Sequence, residues 1–257
     1  MRIDIGEGLH LNYQEDGVGI PLVFAGPPGR MMNPTNVHRF TSQCRVVVYD
    51  ARGGGDSDWG DWYSYRQCAD DLAALLKALG IDKAVVAGGS ASGIQTLHFA
   101  LRHPDMVLGI ALDGTSSEVN FTAARNWRAA AERTLTIGRD AGHEIQGSVA
   151  FPGNEFKVGK RPPRAKETDP RADFALYYGL SDLYENPLTP HLKDIKCPSL
   201  ILIGEQDKLV GVGGSVRMNK AIEGSELRIV PDAGHTVMAT NPEVASREIL
   251  GLVDKLK

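Results

Sequence analysis

Short runs of apolar and β-branched residues alternate along the chain with longer segments whose apolar positions recur at helical spacing. Roughly the first 14 residues are predicted to form a hairpin of two short strands. Further apolar runs of strand length bring the number of predicted strands to eight: 21–26, 44–50, 83–89, 107–113, 199–204 and 226–230. Continuous apolar strands that alternate with helices are typical of an α/β domain with a mostly parallel sheet.

The helical segments have clear boundaries. A helix is predicted over 63–80, before the strand at 83–89, and another over 92–101, which must stop at His103-Pro104. A last helix is predicted from residue 241 to the C-terminus.

One long insertion, 115–192, interrupts this alternation of strands and helices. It begins with an Ala- and Arg-rich helical stretch at 121–139 and closes with a helix-like stretch at 172–184. Between them, 143–171 is rich in Gly, Pro and Lys. Connections of this length usually carry a function of their own.

Ser90 lies in the turn between the strand at 83–89 and the helix at 92–101. A sharp strand-to-helix turn exposes the serine hydroxyl near the positive end of the helix and near the N–H of Ala91. Gly88 supplies the small residue that such a tight turn needs two positions earlier, and Ser92 is small at the matching position after it. Because glycine and serine are common in turns, this motif alone does not distinguish a nucleophile from a chance loop.

Two further polar residues follow strands, as a nucleophilic serine requires. Asp207 ends the glycine turn after the strand at 199–204, and His235 lies in the loop after the strand at 226–230. A histidine can take the serine proton, and a carboxylate can hold that histidine in the correct tautomer. All three residues lie beyond the carboxyl ends of strands, where open α/β sheets place their sites.

Together these motifs resemble the α/β-hydrolase superfamily over nearly the whole chain. The stretch 50–57, Asp-Ala-Arg-Gly-Gly-Gly-Asp-Ser, resembles the family motif Asp-x-Arg-Gly-x-Gly-x-Ser, and 233–243 resembles its histidine loop and last helix. The resemblance implies an α/β-hydrolase fold with a mostly parallel eight-stranded sheet flanked by helices. It assigns 1–114 and 193–257 to the core and 115–192 to a helical cap.

The resemblance also implies catalytic roles for Ser90, Asp207 and His235. Asp113 is an alternative acid because it too ends a strand, although a turn or helix-cap role explains it more simply. Glu205 and Asp232 lie near the same loops and are weaker alternatives. We expect Asp50 and Arg52 to brace the loops around the site, and the remaining histidines to be surface or core residues: His10, His38, His98, His103, His143 and His191.

The substrate pocket is expected beside these residues and under the cap. Its predicted lining is Gly26, Pro28, Trp127, Tyr178, Val237 and Met238. For the aromatic residues Trp127, Phe151, Tyr177 and Tyr178, packing of the cap onto the core is an equal alternative.

The loop after the third strand departs from the family pattern. Relatives usually have His-Gly-x-Pro-Gly there, and residue x gives one N–H to the oxyanion while the residue after the nucleophile, here Ala91, gives the other. This chain has Ala25 in place of the histidine and Pro27 at x, and proline has no N–H. The departure predicts a weakened oxyanion hole, unless Gly29 or a side chain such as Asn33 or Ser92 replaces the donor.

Composition narrows the function classes. The 257 residues suit one large domain, and a net charge of −4 gives no sign of nucleic acid or an anionic membrane as a partner. Three widely spaced cysteines, the lack of an apolar leader and the lack of a membrane-length run lead us to expect a cytoplasmic protein. No metal or cofactor motif is present, and the basic group between 157 and 166 is expected to be a solvated face of the cap.

The sequence therefore predicts a cofactor-free serine hydrolase acting on a small carboxylic ester or lactone, and it leaves open whether the protein is a monomer or a homo-oligomer. Carbon–carbon bond hydrolysis, aminopeptidase, lyase or cofactor-free oxygenase chemistry remain open on the same fold, since fold does not determine function. A ligand-binding protein with a vestigial triad is the non-enzymatic alternative.

Overall fold

The computed structural model describes residues 1–30, 33–142 and 168–257. Its centre is an eight-stranded sheet. The strands are β1 Arg2–Asp4, β2 His10–Asp16, β3 Ile20–Phe24, β4 Cys44–Tyr49, β5 Ala84–Gly89, β6 Val107–Asp113, β7 Ser199–Gly204 and β8 Glu226–Val230. All eight predicted strands are confirmed, with ends within two residues of the predicted ones.

The strand order in the sheet is β1-β2-β4-β3-β5-β6-β7-β8. The two pairings that involve β2, with β1 and with β4, are antiparallel, and all the others are parallel. The carboxyl ends of β5, β6, β7 and β8 consequently lie side by side along one edge.

Seven α-helices connect the strands or follow them in the described part of the chain. They are α1 Tyr65–Ala78, α2 Ala91–Arg102, α3 Phe121–Thr136, α4 Pro170–Asp182, α5 Val212–Ala221, α6 Val237–Thr240 and α7 Pro242–Asp254. Short 3-10 turns cover Pro34–Arg39, Pro104–Met106 and Thr189–Asp194.

The central strands are buried because helices cover both faces of the sheet. Alternate residues of β5 belong to different cores, as the two-residue period of a strand requires: Val86 packs with Leu72 and Leu97 of α1 and α2, and Val85 packs with Ile249 of α7. This two-sided burial explains why the strands are continuous apolar runs.

Helices α3 and α4 belong to the segment predicted to be a cap, and they pack on each other. The rings of Trp127 and Tyr177 stack between them, with centroids 5.9 Å apart, and both side chains are buried. Leu209, from the loop after β7, packs against this cluster. The cap helices therefore lie against the edge of the sheet where Asp207 is located.

The ends of the two cap helices differ from the prediction. Helix α3 ends at Thr136, before Gly138, whose φ of +125° suits glycine. Helix α4 starts two residues earlier than predicted, because Asp169 caps it and Pro170 occupies its first position. Phe151, His143 and the predicted basic group lie outside the described residues.

Within the described residues, no helix is long and apolar enough to cross a membrane. The same residues contain no group of three or more histidine, cysteine, aspartate or glutamate side chains placed to hold a metal ion.

Candidate active site

Ser90 forms a strained turn between β5 and α2. Its φ of +52° and ψ of −125° are rare for a non-glycine residue. Its N–H donates to the carbonyl of Asp113 at 2.9 Å, and its carbonyl accepts from the N–H of Gly93 at 3.0 Å and from Thr115 Oγ1 at 2.7 Å. Three hydrogen bonds therefore hold the serine backbone in an otherwise unfavourable conformation.

The residues around Ser90 explain the spacing of small side chains. A Cβ atom on Gly88 would lie 2.3 Å from the carbonyl oxygen of Ser92, so no larger residue fits there. Ser92 lies inside α2 and needs no positive φ, so its own side chain is tolerated. As the first residue of α2, Ala91 has an N–H with no partner inside the helix.

Asp207 and His235 form a direct pair. Asp207 Oδ2 lies 2.9 Å from His235 Nδ1, and the aspartate side chain is fully buried. The other oxygen, Oδ1, accepts from the N–H groups of Leu209 and Val210 at 2.9 and 3.0 Å. Burial by itself would raise the pKa of Asp207, but the interactions with His235 and the two N–H groups outweigh it and hold that pKa below its ordinary value.

The histidine thus has one ring nitrogen committed to Asp207 and the other available for a proton from a nucleophile. Among the residues that the structure describes, no hydrogen bond joins Ser90 Oγ to His235. Bonds of this kind often close only when substrate is present.

The other candidate acids are arranged differently. Asp113 is buried, and its two oxygens accept from the N–H groups of Val237 and Met238 at 2.7 and 2.9 Å. Burial raises the pKa of Asp113, although these two hydrogen bonds act in the opposite direction. Glu205 and Asp232 are exposed, and Asp232 accepts from Gln206. Among these carboxylates, Asp207 is the one bonded to the His235 ring.

Every backbone N–H present in residues 25–30, which follow β3, is already engaged in a hydrogen bond. The N–H of Ala25 donates to Ala87 O at 2.8 Å, and that of Gly26 donates to Tyr49 Oη at 3.1 Å. Pro27 and Pro28 have none. The next two, on Gly29 and Arg30, donate to Arg52 O and Pro27 O.

This arrangement removes one of the alternatives left open by the sequence. Gly29 cannot supply the second oxyanion donor through its N–H while that group bonds Arg52. Asn33 uses its Oδ1 to accept from Thr35 N at the start of a 3-10 turn. The backbone N–H of Ala91, the first residue of α2, lies directly after Ser90 in the chain.

Asp50 and Arg52 contact protein groups, as expected for bracing residues. Asp50 Oδ2 accepts from Asn12 Nδ2 and from the N–H of Asp56, at 2.7 and 2.9 Å. The guanidinium of Arg52 donates two hydrogen bonds of 2.7 Å to Asp71. These contacts fix the loop against which the Gly29 segment rests.

The predicted pocket residues lie in several environments. Gly26, Pro28 and Val237 are buried, and Met238, three residues after His235 in the chain, is half-buried. Trp127 packs inside the cap against Tyr177. Tyr178 is 40% exposed, and the guanidinium of Arg128 lies over its ring at 4.8 Å.

Some residues near the site were not singled out from the sequence. Thr115 bonds the Ser90 carbonyl, and Tyr49 bonds the N–H of Gly26; neither has a recognisable signal in the sequence. Asp169 anchors the start of α4 by accepting from Tyr63 Oη at 2.6 Å. The Asp-Pro pair at 169–170 is a helix-start signal and could have located this contact.

Comparisons with known proteins agree with the fold. A model described as the Alpha/beta hydrolase family matches residues 23–247. The chain is 29% identical over 205 residues to a putative carbamate hydrolase RutD of Pantoea ananatis, covering 77% of this chain and 74% of that protein. It is 25% identical over 270 residues to a 2-(acetamidomethylene)succinate hydrolase of Mesorhizobium japonicum, covering 98% and 94%.

Among solved structures, a thermophilic esterase from Thermogutta terrifontis, with malate bound, superposes with a TM-score of 0.82 at 26% identity. The superposition covers 100% of this chain and 98% of that one.

Proposed function

Because the chain belongs to the alpha/beta hydrolase family, whose model matches most of its length, we propose that it is a serine hydrolase of small carboxylic esters or lactones. Ser90 is the proposed nucleophile, His235 the general base and Asp207 the residue that orients it. The hydrolase names of the relatives and the esterase fold neighbour support the reaction class. The substrate is a small molecule, and the reaction uses no cofactor.

In the acylation step, Ser90 Oγ attacks the acyl carbon while its proton passes to His235 Nε2. Asp207 keeps the proton on Nδ1, so Nε2 carries the lone pair that accepts it. The negative charge that develops on the carbonyl oxygen faces the N–H of Ala91 at the start of α2. The tetrahedral intermediate collapses as His235 returns the proton to the leaving alkoxide oxygen.

In the deacylation step, the roles repeat with water as the nucleophile. His235 takes a proton from water, and the hydroxide oxygen attacks the acyl carbon. The proton then returns from His235 to Ser90 Oγ as the C–O bond breaks. The products are a carboxylic acid and free Ser90.

One observation carries this proposal: the buried Asp207 carboxylate lies 2.9 Å from His235 Nδ1. Placing a carboxylate there is costly unless it is hydrogen-bonded, and three donors compensate it. The pair lies along the same sheet edge as the strained Ser90 turn.

Reaction of the full chain with a fluorophosphonate tests the proposal. We expect one adduct by intact-protein mass, mapped to Ser90, and none in the variant Ser90→Ala. A panel of p-nitrophenyl esters and lactones of increasing acyl length then identifies the preferred substrate. An unlabelled wild-type protein that hydrolyses none of them would contradict the proposal.

A second candidate is proton-transfer chemistry, as in a lyase or a cofactor-free oxygenase. The observation that favours it is the loop at 25–30, where every N–H is engaged or absent, because such chemistry needs less oxyanion stabilisation. A protein of this kind depends on His235 for turnover, whereas replacing Ser90 by alanine leaves part of the activity intact. Equal loss of turnover in both variants therefore favours the hydrolase.

A further inference from the structure

Asp113 is a buried carboxylate at the site that the proposed reaction does not use. It ends β6, the strand between those that deliver Ser90 and Asp207. The residue is 6% exposed, and its carboxylate oxygens accept from backbone N–H groups. The backbone segments that Asp113 holds in place therefore indicate its role.

One end of this residue holds the nucleophile turn. The carbonyl of Asp113 accepts the N–H of Ser90 at 2.9 Å, and Thr115, two residues later, donates its hydroxyl to the Ser90 carbonyl. The segment at 113–115 thus bonds both polar backbone groups of a residue with positive φ.

The other end holds the histidine loop. Asp113 accepts the N–H groups of Val237 and Met238, the first two residues of α6, which directly follow Thr236. Thr236 has a φ of +55°, which is a severe outlier for a β-branched residue and persists only where the surroundings enforce it. The two bonds to Asp113 hold the N–H groups that directly follow Thr236, and Thr236 adjoins His235.

The next residue along, Gly114, lies close to the acid. A Cβ atom on Gly114 would lie 3.1 Å from Thr236 N and 3.2 Å from Asp207 Oδ2, and its own φ is +56°. The turn after β6 therefore contacts the elements that carry all three proposed catalytic residues.

From this juxtaposition we propose that Asp113 is a positioning residue, which sets the location of His235 relative to Ser90 by clamping the strained Thr236. This inference rests on the proposed function. The substitution Asp113→Asn is isosteric, but the new side chain can accept only one of the two N–H groups, because its amide nitrogen is a donor. Its Nδ2 would face an N–H, so the turn at Thr236 would relax and displace the imidazole.

The first test compares Asp113→Asn with Asp70→Asn. Asp70 lies in α1 and bonds Arg102 and His103 at the far end of α2 from Ser90, so its loss affects stability without touching the site. We expect Asp113→Asn to lower kcat and the rate of fluorophosphonate labelling by about 10–100-fold, with KM nearly unchanged, since a displacement of about 1 Å can cost 10²-fold. Asp70→Asn should leave both rates unchanged.

A spectroscopic readout separates positioning from a merely structural role. The proton shared by His235 and Asp207 gives a downfield NMR signal, which should shift or broaden in Asp113→Asn and stay in place in Asp70→Asn. An unchanged signal and labelling rate in a less stable Asp113→Asn would overturn the inference. A loss of kcat equal to that of Asp207→Asn would also overturn it, because Asp113 would then act as the acid itself.

If Asp113→Asn does not fold, hydrogen exchange in the wild-type chain tests the proposed role of Asp113. Amides in the first turn of a helix have no partner within that helix and exchange rapidly unless capped. We expect slow hydrogen exchange at Val237 and Met238, and fast exchange there would overturn the clamp. The NMR signal and the hydrogen-exchange rates can be measured without turnover. If the wild-type protein is not labelled, the proposed function is contradicted, but these two measurements still test the role of Asp113.

Discussion

Asp207 Oδ2 and His235 Nδ1 are 2.9 Å apart, although 28 residues separate them along the chain. The contact depends on the parallel pairing of β7 and β8, which brings the loops after both strands to the same edge of the sheet. The carboxylate is fully buried and the imidazole is 17% exposed, so the ring is accessible from one side.

Asp207→Asn should lower kcat on a p-nitrophenyl ester by roughly 10⁴-fold, because an amide at that position favours the wrong histidine tautomer. KM should change little. Asp232→Asn is the matched control: it removes an exposed carboxylate from the histidine loop, three residues before His235, and should leave kcat unchanged. Similar losses in both variants would mean that the whole loop had moved.

Labelling distinguishes the two serines of the turn. A fluorophosphonate should modify Ser90, and Ser92→Ala should still be labelled, because Ser92 lies within α2 and Ser90 is the residue on the strained turn. Peptide mapping by mass spectrometry checks this. An adduct on Ser92 would reverse the assignment of the nucleophile.

Pro27→Gly should raise kcat on the same ester while slightly lowering thermal stability. A fixed oxyanion donor is worth about 3–4 kcal/mol, whereas the added freedom of the chain costs about 1 kcal/mol. Pro28→Gly adds the same freedom and an N–H one position further on, so it should lower stability without the gain in kcat.

A slower Pro27→Gly variant, together with wild-type kcat ordinary for esterases, would show that another group completes the oxyanion hole. Ser92 and Asn33 would then be replaced by alanine in turn.

Gly29→Ala should destabilise the protein more than Gly8→Ala. Both glycines have positive φ, +68° and +74°, so both substitutions pay a backbone strain of about 1–2 kcal/mol. At Gly29 the new Cβ would also lie 2.7 Å from Thr168 Cγ2, whereas at Gly8 nothing lies within 4 Å. Urea unfolding measures the free energy of unfolding of both variants. Equal decreases would show that Thr168, just before α4, moves away from the new Cβ atom at little cost.

The pH dependence should have two separate parts. Since the reaction needs neutral His235 as the base, kcat/KM should rise with pH through a single ionisation. A flat profile from acid to neutral pH would argue against His235 as the base.

Stability should respond at lower pH. The pKa of Asp207 is lowered by folding, so its contribution is present above the ordinary carboxylate pKa and is lost as the pH falls through the lowered value. The free energy of unfolding of Asp207→Asn should therefore fall less steeply on acidification than that of the wild type.

The sequence was sufficient to predict the eight strands because the central ones are buried on both faces and appear as continuous apolar runs. It also placed Ser90, Asp207 and His235 after strands, since turn residues and strand ends are local signals. Whether these residues are catalytic stays a prediction.

Contacts between distant loops could not be predicted in this way. Thr115 bonds the Ser90 carbonyl, and Tyr49 accepts the N–H of Gly26. Both contacts depend on the register of neighbouring strands in the sheet. Helix α6 was missed because it has only four residues and is capped by Asp113, which is 124 residues away from Val237. No local pattern encodes such a cap.

The four strands β5 to β8 each deliver one part of the site from adjacent positions in the sheet: Ser90, Asp113, Asp207 and His235 in that order. The N-terminal half of the chain can therefore acquire much of its secondary structure without any capacity for the reaction. During refolding, turnover should return only when β8 has paired with β7 and the last loop has reached Asp113. The enzyme assay would then report completion of the sheet, later than any signal that reports helix or strand content alone.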